Sequence, residues 1–265
     1  WLETLAADRP LAFLDHHFKQ GNSLVGSDIE TIEELESDAN GDDEQYSLAE
    51  FGATREGTIE RLMDIYSEFL AIENETVEDV QEMKRKYAEI EQDELRRRLV
   101  AIANVHAAEK FDVDTPGGAY ERMAKALEDN SEWQKVAETD WFSTAQQMAE
   151  NNDFFHWKLA FPEAFYDLDG SKKETPGFDA VMGNPPYVSN WELTERDEQL
   201  PRVLERFYPE ATSGHWDLYV PFVYRGVELT KTTGHQSFIT PNALATEKYG
   251  VKLREYLVKE CDIQK

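Results

Sequence analysis

The middle of the chain carries apolar residues at intervals of three and four positions, which is the spacing of an amphipathic helix. We predict a helix that begins at Thr58 and buries a face made of Ile59, Leu62, Met63, Tyr66, Phe69 and Leu70. Thr76 and Asp79 resemble a capping box, so a second helix is predicted to start there and to continue to about His106. The two helices should pack as an antiparallel hairpin.

The helical pattern resumes after a break at Pro116-Gly117-Gly118. Ser131 is predicted to cap a further helix, which carries Trp133, Val136, Trp141 and Met148. Residues 51–150 are therefore predicted to form a long helical insertion.

The last third of the chain alternates between strand and helix patterns. Strands are predicted at Phe178–Met182 and Gln236–Thr240. Helices are predicted from Asp217 to about Lys231, with Gly234 as the C-terminal cap, and at Lys248–Lys259. This order predicts an α/β sheet with parallel neighbouring strands.

The N-terminal segment contains a short apolar run at Leu11–Leu14 and a polar turn at Gly21–Gly26. The acidic stretch that follows, Ser27–Glu50, is predicted to be a mobile loop. We expect the N-terminal segment to share the sheet of the last third. An α/β catalytic domain is therefore predicted to comprise residues 1–50 and 151–265.

Composition limits the class of protein. A chain of 265 residues with 40% hydrophobic residues is typical of a globular protein with a sizeable core. No stretch approaches the roughly 20 apolar residues of a membrane helix, and Trp1-Leu2-Glu3 does not resemble a signal peptide. The single cysteine, Cys261, excludes an intramolecular disulfide and a cysteine-rich zinc site. We therefore expect a cytoplasmic protein without a membrane partner.

The formal net charge of -27 argues by itself against DNA as a partner, because DNA-binding proteins usually carry an excess of Lys and Arg. Three interpretations remain open: adaptation to a very salty cytoplasm, as in a halophile; a DNA-mimicking inhibitor; or a basic DNA-binding surface in a part of the protein outside this sequence. The acidic residues are spread along the chain rather than gathered in one tail, which favours salt adaptation.

The stretch Phe178–Tyr187 is the strongest indication of chemistry. An apolar strand ends at Gly183 and is followed by Asn184-Pro185-Pro186-Tyr187, and the carboxyl ends of strands are where open α/β sheets bind ligands. An aromatic amine is a poor nucleophile because its lone pair is delocalised into the ring. Two acceptors, the Asn184 side-chain oxygen and the Pro185 carbonyl, could bind both of its N–H groups and stabilise the positive charge that develops in methyl transfer.

Tyr187 provides an aromatic face on which a flipped-out base could stack. The alternative interpretation of the four residues is a rigid turn closed by a packed tyrosine. The apolar strand and glycine before the loop favour the catalytic interpretation.

With these residues, the chain resembles the large adenine-specific DNA methyltransferases of type II (type IIG-like) restriction-modification and phage-defence systems. The segments that carry the resemblance are Leu14–Leu24, Phe155–Glu163, Phe178–Tyr187, Asp217–Tyr219, Phe238–Asn242 and Lys248–Gly250. The resemblance implies a partial Rossmann-like fold, S-adenosylmethionine as cofactor, and methylation of the N6 amine of a flipped adenine in double-stranded DNA. It also implies that Asn22, where an aspartate is commoner, and Phe222 contact the adenine of the cofactor.

One element of that family was not found: the glycine-rich loop that approaches the methionine part of the cofactor. The resemblance therefore implies a central piece of a longer protein, with its target-recognition domain outside this sequence. For the chain alone we expect weak or absent cofactor binding and no activity. No nuclease motif was found.

The remaining candidate sites are weaker. Asp15-His16-His17 could bind a metal, but adjacent histidines on a strand would point to opposite faces, and methyl transfer needs no metal. Arg96-Arg97-Arg98 could contact phosphates, although acidic neighbours favour surface ion pairs. Two other functions remain open: methylation of a protein glutamine through the same Asn-Pro-Pro-Tyr loop, and a non-enzymatic acidic protein that mimics DNA.

Overall fold

The computed structural model describes residues 15–34, 42–73 and 75–263. The chain divides into two compact units. The first comprises the chain up to Asn22, then Gly26–Glu109 and Val113–Lys173, and the second comprises Ser23–Val25, Lys110–Asp112 and the chain from Glu174 onward. The architecture is mixed α/β, because the second unit contains a parallel pair of strands.

The first unit is built from helices. Its described elements are a 3-10 helix at Asp15–His17 and the helices α1 (Ile29–Glu34), α2 (Asp42–Leu70), α3 (Val77–Gln92), α4 (Glu94–Glu109), α5 (Ala119–Ala126), α6 (Asn130–Ala137), α7 (Asp140–Asn151), α8 (Trp157–Ala160) and α9 (Pro162–Phe165). One buried cluster lies around α4 and includes Leu99, Ile102, Met123 and Phe142. A second cluster joins α2 to α3 through Tyr66, Phe69, Met83 and Ile90.

Much of the acidic stretch that was predicted to be a loop is helical. Its described residues belong to α1 and to the start of α2, while residues 35–41 lie outside the described part of the chain. Ile29 and Ile32, three positions apart, are buried and pack against Leu99 and its neighbours in the first cluster. The short acidic helix is therefore held by two buried isoleucines and by the Glu30 carboxylate, which pairs with Lys158 at 2.9 Å and Lys172 at 3.5 Å.

Thr58 does not begin a helix, so that prediction was wrong. Helix α2 runs through it, and the Thr58 hydroxyl donates to the Thr54 carbonyl at 2.7 Å, as hydroxyls inside helices often do. The predicted buried face is confirmed at Ile59, Leu62, Met63, Tyr66 and Phe69, whereas Leu70 is exposed.

The capping box at Thr76 and Asp79 is confirmed. The Asp79 amide donates to the Thr76 hydroxyl at 3.1 Å and the Thr76 amide donates to the Asp79 carboxylate at 2.8 Å. The helix that follows is shorter than predicted, because the chain breaks at Asp93 and α4 begins there. The Asp93 carboxylate accepts from the Arg96 amide at 2.8 Å, which caps the new helix. Helices α2 and α3 pack against each other across a short turn, as predicted.

The helix that was predicted to begin at Ser131 is two helices, α6 and α7, and the helix α5 precedes them. Gly118 has a φ of 73° and stands at the N-cap of α5, a conformation that favours glycine. Asp129, not Ser131, caps α6: its carboxylate accepts from the Ser131 and Glu132 amides. Trp133 and Val136 lie on α6, whereas Trp141 and Met148 lie on α7.

The second unit contains the sheet. Its described elements are β1 (Phe178–Gly183), α10 (Asn190–Arg196), α11 (Leu200–Phe207), α12 (Tyr219–Leu229), β2 (Thr230–Phe238), α13 (Ala243–Thr246), a 3-10 helix at Lys248–Gly250 and α14 (Val251–Glu260). Strand β1 pairs with β2 in parallel, with Val181 opposite Gln236 and Gly183 opposite Phe238. The predicted strand, helix, strand order and the parallel pairing are confirmed.

Gly234 is not a helix cap. Helix α12 ends at Leu229 and β2 begins at once, so Gly234 lies inside the strand, next to a register shift between Phe178 and Ala180. A Cβ at Gly234 would lie 2.8 Å from the Phe178 carbonyl oxygen. The glycine therefore allows the two backbones to approach closely at the irregularity.

The expected contribution of the N-terminal segment to this sheet is not seen in the described residues. Asn22 forms an isolated parallel bridge with Phe154 in the first unit, and Leu11–Leu14 lie outside the described residues. Among the described helices, none has both the length and the apolar character required to cross a bilayer.

Candidate functional site

The candidate loop starts at the end of β1, where a glycine and a phenylalanine fix the backbone. The Gly183 carbonyl accepts from the Ile239 amide at 3.0 Å, which extends the strand pairing by one step. A Cβ at Gly183 would lie 2.6 Å from the Phe238 ring, and one at Gly226 of α12 would lie 2.7 Å from the same ring. The ring therefore fills the space that both glycines leave, and it ties the strand ends to α12.

The four loop residues differ in exposure. Asn184, Pro186 and Tyr187 are exposed, whereas Pro185 is buried. The Tyr187 hydroxyl lies 3.1 Å from Asn184 Oδ1 and 2.9 Å from the Ile239 carbonyl oxygen. A phenol has one proton to donate, so these two oxygens share it. The hydroxyl thus holds the Asn184 side chain and the end of β2 together.

The residues after Tyr187 are held by a short antiparallel contact. The Leu218 amide donates to the Val188 carbonyl at 2.7 Å, and the Asn190 amide donates to the Trp216 carbonyl at 2.8 Å. Helix α10 then begins with a complete capping box between Ser189 and Glu192. The loop is therefore fixed on both sides by hydrogen bonds of the backbone.

The Tyr187 ring packs edge-to-face on Tyr219, with ring centroids 6.3 Å apart and an interplanar angle of 84°. Tyr219 is the first residue of α12 and is fully buried. This contact was not predicted, and the only local indication of it is the position of Tyr219 in the Asp217–Tyr219 segment. Tyr187 is 51% exposed, so part of its ring is accessible to a planar ligand.

The two residues expected to contact the cofactor are described in different units. Phe222 lies on α12, three residues after Tyr219, and its side chain is half-buried. Asn22 is half-buried in the first unit, where its amide donates to the Asp153 carbonyl at 2.7 Å. The glycines beside it serve packing, because a Cβ at Gly21 would lie 2.6 Å from the Phe155 ring and one at Gly26 would lie 2.0 Å from the Phe155 carbonyl oxygen.

The two adjacent histidines are not on a strand. Asp15–His17 is a 3-10 helix, and the His16 and His17 rings have centroids 3.7 Å apart. His16 is buried and packs against Phe69. Within the described ranges, no group of three or more His, Cys, Asp or Glu side chains is arranged to hold a metal ion.

The three consecutive arginines have different environments. Arg96 pairs with Glu91 at 3.3 Å and Arg98 pairs with the exposed Glu94, so ion pairs are present as predicted, although the Arg98 side chain itself is buried. Arg97 is exposed, but Arg98 is 4% exposed and donates to the Leu127 carbonyl at 2.7 Å and to the Ala126 carbonyl at 3.3 Å. These carbonyls lie at the C-terminal end of α5, which is where a cation is favoured. Arg98 is therefore a buried cap rather than a phosphate ligand.

The four residues Asn184–Tyr187 present only neutral groups. An exposed amide oxygen can accept a hydrogen bond from an incoming amine, and an exposed ring can stack on the planar group that carries it. The amide and the ring are three residues apart and are joined by the Tyr187 hydroxyl, so the two functions are fixed relative to each other. This arrangement can bind and orient a planar amine without acting as a strong base.

The sequence was compared with known proteins. The family model of the Eco57I restriction-modification methylase matches residues 58–265. The type II methyltransferase M.BstVI of Geobacillus stearothermophilus is 37% identical over 90 residues, which are 33% of this chain and 15% of that protein.

Two further relatives give the same picture. The type II methyltransferase M.XhoI of Xanthomonas vasicola is 35% identical over 89 residues, 32% of this chain and 15% of that protein. The type II restriction enzyme and methyltransferase RM.Eco57I of Escherichia coli is 29% identical over 80 residues, 30% of this chain and 8% of that protein. The matched region therefore spans only a small part of these longer proteins. No solved structure matches the chain.

Proposed function

Because the chain belongs to the family of Eco57I restriction-modification methylases, we propose that it transfers a methyl group from S-adenosylmethionine to the N6 amine of a flipped-out adenine in double-stranded DNA. Two of the relatives to which it is similar are named type II methyltransferases, which supports methyl transfer as the reaction. Membership of the family does not by itself specify the substrate atom, the cofactor or the residues that act.

The observation that carries the proposal is the exposed Asn184 amide beside the exposed Tyr187 ring. Their joint position at the end of β1 supports a site for a planar amine. A site for a carboxylate or phosphate would instead present cations or several backbone amides. Neutral acceptors favour an uncharged donor such as the amino group of adenine.

The residues have separate roles in this mechanism. The Asn184 Oδ1 and the Pro185 carbonyl accept hydrogen bonds from the two N–H groups, which draws the nitrogen toward tetrahedral geometry and stabilises its developing positive charge. Tyr187 holds the base by stacking and aims the amine. Pro185 and Pro186 stiffen the backbone, so that the acceptors need not reorganise during the reaction.

The cofactor supplies an electrophilic methyl group on a sulfonium. Taken separately, each residue has chemistry that suits an adenine: Phe222 offers a half-buried aromatic ring, and the Asn22 side-chain amide can accept from an amine or donate to a ring nitrogen. Gly21 and Gly26 allow close packing of Phe155 and do not form a glycine-rich loop of the kind that the resemblance implies for the methionine part. We therefore propose Asn22 and Phe222 as cofactor contacts and assign the methionine part to residues outside this sequence.

The wider assignments belong to the same proposal. From the resemblance we assign residues 1–50 and 151–265 to a partial Rossmann-like catalytic domain and residues 51–150 to an insertion, and we propose that the reaction takes place in the cytoplasm. Sequence recognition lies with a target-recognition domain outside this chain. The absence of a metal requirement follows from the mechanism, because neither acceptor needs a Lewis acid.

The test is an assay of the natural full-length protein with labelled S-adenosylmethionine and duplex DNA in molar KCl, followed by nucleoside analysis. We expect N6-methyladenine, and we expect Asn184→Ala to lower its formation by about 100-fold or more, the usual effect of removing one preorganised hydrogen-bonding group. Asn190→Ala is the matched control, because that amide lies in α10 and donates to the Gly214 carbonyl at 3.0 Å.

The same assay separates the other functions. Label in protein glutamine rather than DNA would favour a protein methyltransferase. Binding to a DNA-binding partner that duplex DNA competes away, without any methyl transfer, would favour a DNA mimic. Full activity in Asn184→Ala would contradict the role of the loop even if DNA is methylated.

A further inference from the structure

A chain of hydrogen bonds lies behind the candidate loop. The Tyr249 hydroxyl donates to Asp217 Oδ2 at 2.8 Å and lies 2.9 Å from the Tyr219 hydroxyl. The proton of Tyr249 is engaged by the carboxylate, which accepts only, so Tyr219 must be the donor to Tyr249. The order is therefore Tyr219 to Tyr249 to Asp217, and it links the start of α12 with the 3-10 helix at Lys248–Gly250.

Both ends of this chain contact the loop. At one end, the buried Tyr219 ring supports the exposed Tyr187 ring in an edge-to-face contact. At the other end, Asp217 belongs to the segment that bridges Ser189, and the neighbouring Leu218 amide holds the Val188 carbonyl. Asp217 therefore fixes the backbone after Tyr187, while its carboxylate accepts from Tyr249, whose hydroxyl in turn accepts from Tyr219 beneath Tyr187.

Tyr249 is itself held firmly. Its neighbour Gly250 is buried, and a Cβ there would lie 2.9 Å from the Leu244 carbonyl oxygen. Arg254 donates to the Leu244 and Glu247 carbonyls at 2.6 and 2.9 Å, which fixes the turn that carries Tyr249. The Tyr249 side chain is therefore carried by a backbone segment that packing and hydrogen bonds hold in place.

We propose that Tyr249 is a positioning residue for the methyl transfer: its hydroxyl connects Tyr219 to Asp217 and so fixes the Tyr187 ring and the backbone that follows it. This inference rests on the proposed function and adds to it a residue that lies 62 positions beyond the loop. It places no new group on the substrate. The network acts through Tyr187, which is the residue expected to meet the base.

The protonation of the network agrees with a structural role for its hydroxyls. Burial raises the pKa of Tyr219, and the nearby Asp217 carboxylate raises it further, against a lowering effect of the Tyr249 hydrogen bond. Burial and the hydrogen bonds to Tyr219 and Asp217 raise the pKa of Tyr249. Both phenols therefore stay protonated at neutral pH and donate hydrogen bonds, so neither acts as a phenolate base.

The experiment compares Tyr249→Phe with Tyr256→Phe in the natural full-length protein. Tyr249→Phe keeps the ring and removes only the hydroxyl that bridges the network. Tyr256 is a half-buried tyrosine of the same unit whose ring packs on Tyr224 at 4.4 Å, so its substitution controls for the loss of one phenol. We expect kcat for DNA methylation to fall roughly tenfold in Tyr249→Phe, as loss of about one hydrogen bond predicts, with KM for DNA changed less than about twofold. Tyr256→Phe should retain the wild-type kcat.

A second readout does not depend on activity. Hydrogen–deuterium exchange should be several-fold faster for the peptide that covers residues 184–190 in Tyr249→Phe than in Tyr256→Phe, because the loop loses its support. A normal kcat together with unchanged exchange in this peptide would overturn the positioning role. A fall in kcat that is fully explained by a smaller fraction of folded protein would also overturn it. If the unsubstituted protein methylates no DNA, the proposed function fails, and the exchange measurement alone then decides whether Tyr249 positions the loop.

Discussion

The helical unit and the strand-and-loop unit use polar side chains in opposite ways. In the helical unit they are paired inside the fold: Arg98 caps α5, and the Glu91 carboxylate binds Lys19 at 2.8 Å and Arg96 at 3.3 Å. In the strand-and-loop unit, Asn184 and Tyr187 are exposed at the end of a strand, and the buried groups serve to hold them there.

This difference separates side chains that contribute to folding stability from side chains that remain available to a ligand. A buried charge must be paired to be tolerated, so its partners contribute to stability and have little freedom to bind anything else. A neutral amide and a phenol can remain exposed at small cost, so they stay available to a ligand. We therefore expect substitutions in the first group to change unfolding and those in the second group to change methyl transfer.

The strongest test of this comparison is Arg98→Met. The substitution keeps an apolar stem but leaves the Ala126 and Leu127 carbonyls without their buried donor, and we expect it to destabilise the chain by about 3 kcal/mol. Urea denaturation followed by circular dichroism measures the change.

The adjacent exposed arginine offers a matched control for that experiment. Arg97→Met makes the same chemical change on the surface and should alter stability by about 0.5 kcal/mol or less. Equal losses in the two variants would contradict the assignment of Arg98 as a buried cap.

The next test separates the ring of Tyr187 from its hydroxyl. Tyr187→Ala removes the stacking surface, which is worth about 1–3 kcal/mol per base, and should lower methyl transfer roughly 10- to 100-fold without a large change in stability. Tyr187→Phe keeps the ring and loses the hydrogen bond to the Ile239 carbonyl. We therefore expect the activation free energy of methyl transfer to rise by about 1 kcal/mol or less. Steady-state kinetics of labelled methyl transfer from S-adenosylmethionine to duplex DNA measure both variants. If the two variants were equally impaired, the hydroxyl rather than the ring would be the important group.

The smallest effect is expected at Glu163, whose carboxylate accepts from the Tyr66 hydroxyl at 3.1 Å. Burial raises the pKa of this carboxyl, so the folded chain binds the proton up to a higher pH than the unfolded chain does. Stability from this group is therefore present at low pH and is lost as the pH rises from the usual carboxyl range through the raised folded pKa.

Glu163→Gln removes that loss, so the variant should be more stable than the wild type at pH 7 by less than about 1 kcal/mol. The difference should shrink as the pH falls to the usual carboxyl range. Melting temperatures between pH 4 and pH 8 give the comparison, with the exposed Glu138→Gln as a control for the loss of one negative charge. A destabilised Glu163→Gln at pH 7 would show that the charged form is favoured by its surroundings after all.

Local signals in the sequence located the strand, the loop and several helices. The capping box at Thr76 and the strand at Phe178–Met182 were predictable because both depend on residues within four or five positions of each other. Thr58 and Gly234 misled for the same reason: each is a usual helix-end residue, yet packing of the surrounding chain placed Thr58 inside α2 and Gly234 inside β2. Tertiary contacts override such weak local preferences.

The acidic composition was also a poor guide to structure. Ile29 and Ile32 are buried in a stretch that looked too polar to fold. Two apolar side chains at helical spacing give the helix a buried face, and Lys158, 128 positions away, pairs with the Glu30 carboxylate between them.

The sequence by itself determined the chemistry that the loop can offer, since Asn-Pro-Pro-Tyr after an apolar strand fixes which acceptors and which ring follow one another along the backbone. Only the tertiary structure decided what supports them. Asp217 and Tyr249 are 32 positions apart, and Arg98 and Leu127 are 29 positions apart. The sequence contains each residue of these pairs but not the packing that brings the partners within hydrogen-bonding distance, because that packing is set by the burial of whole helices and strands rather than by any spacing along the chain.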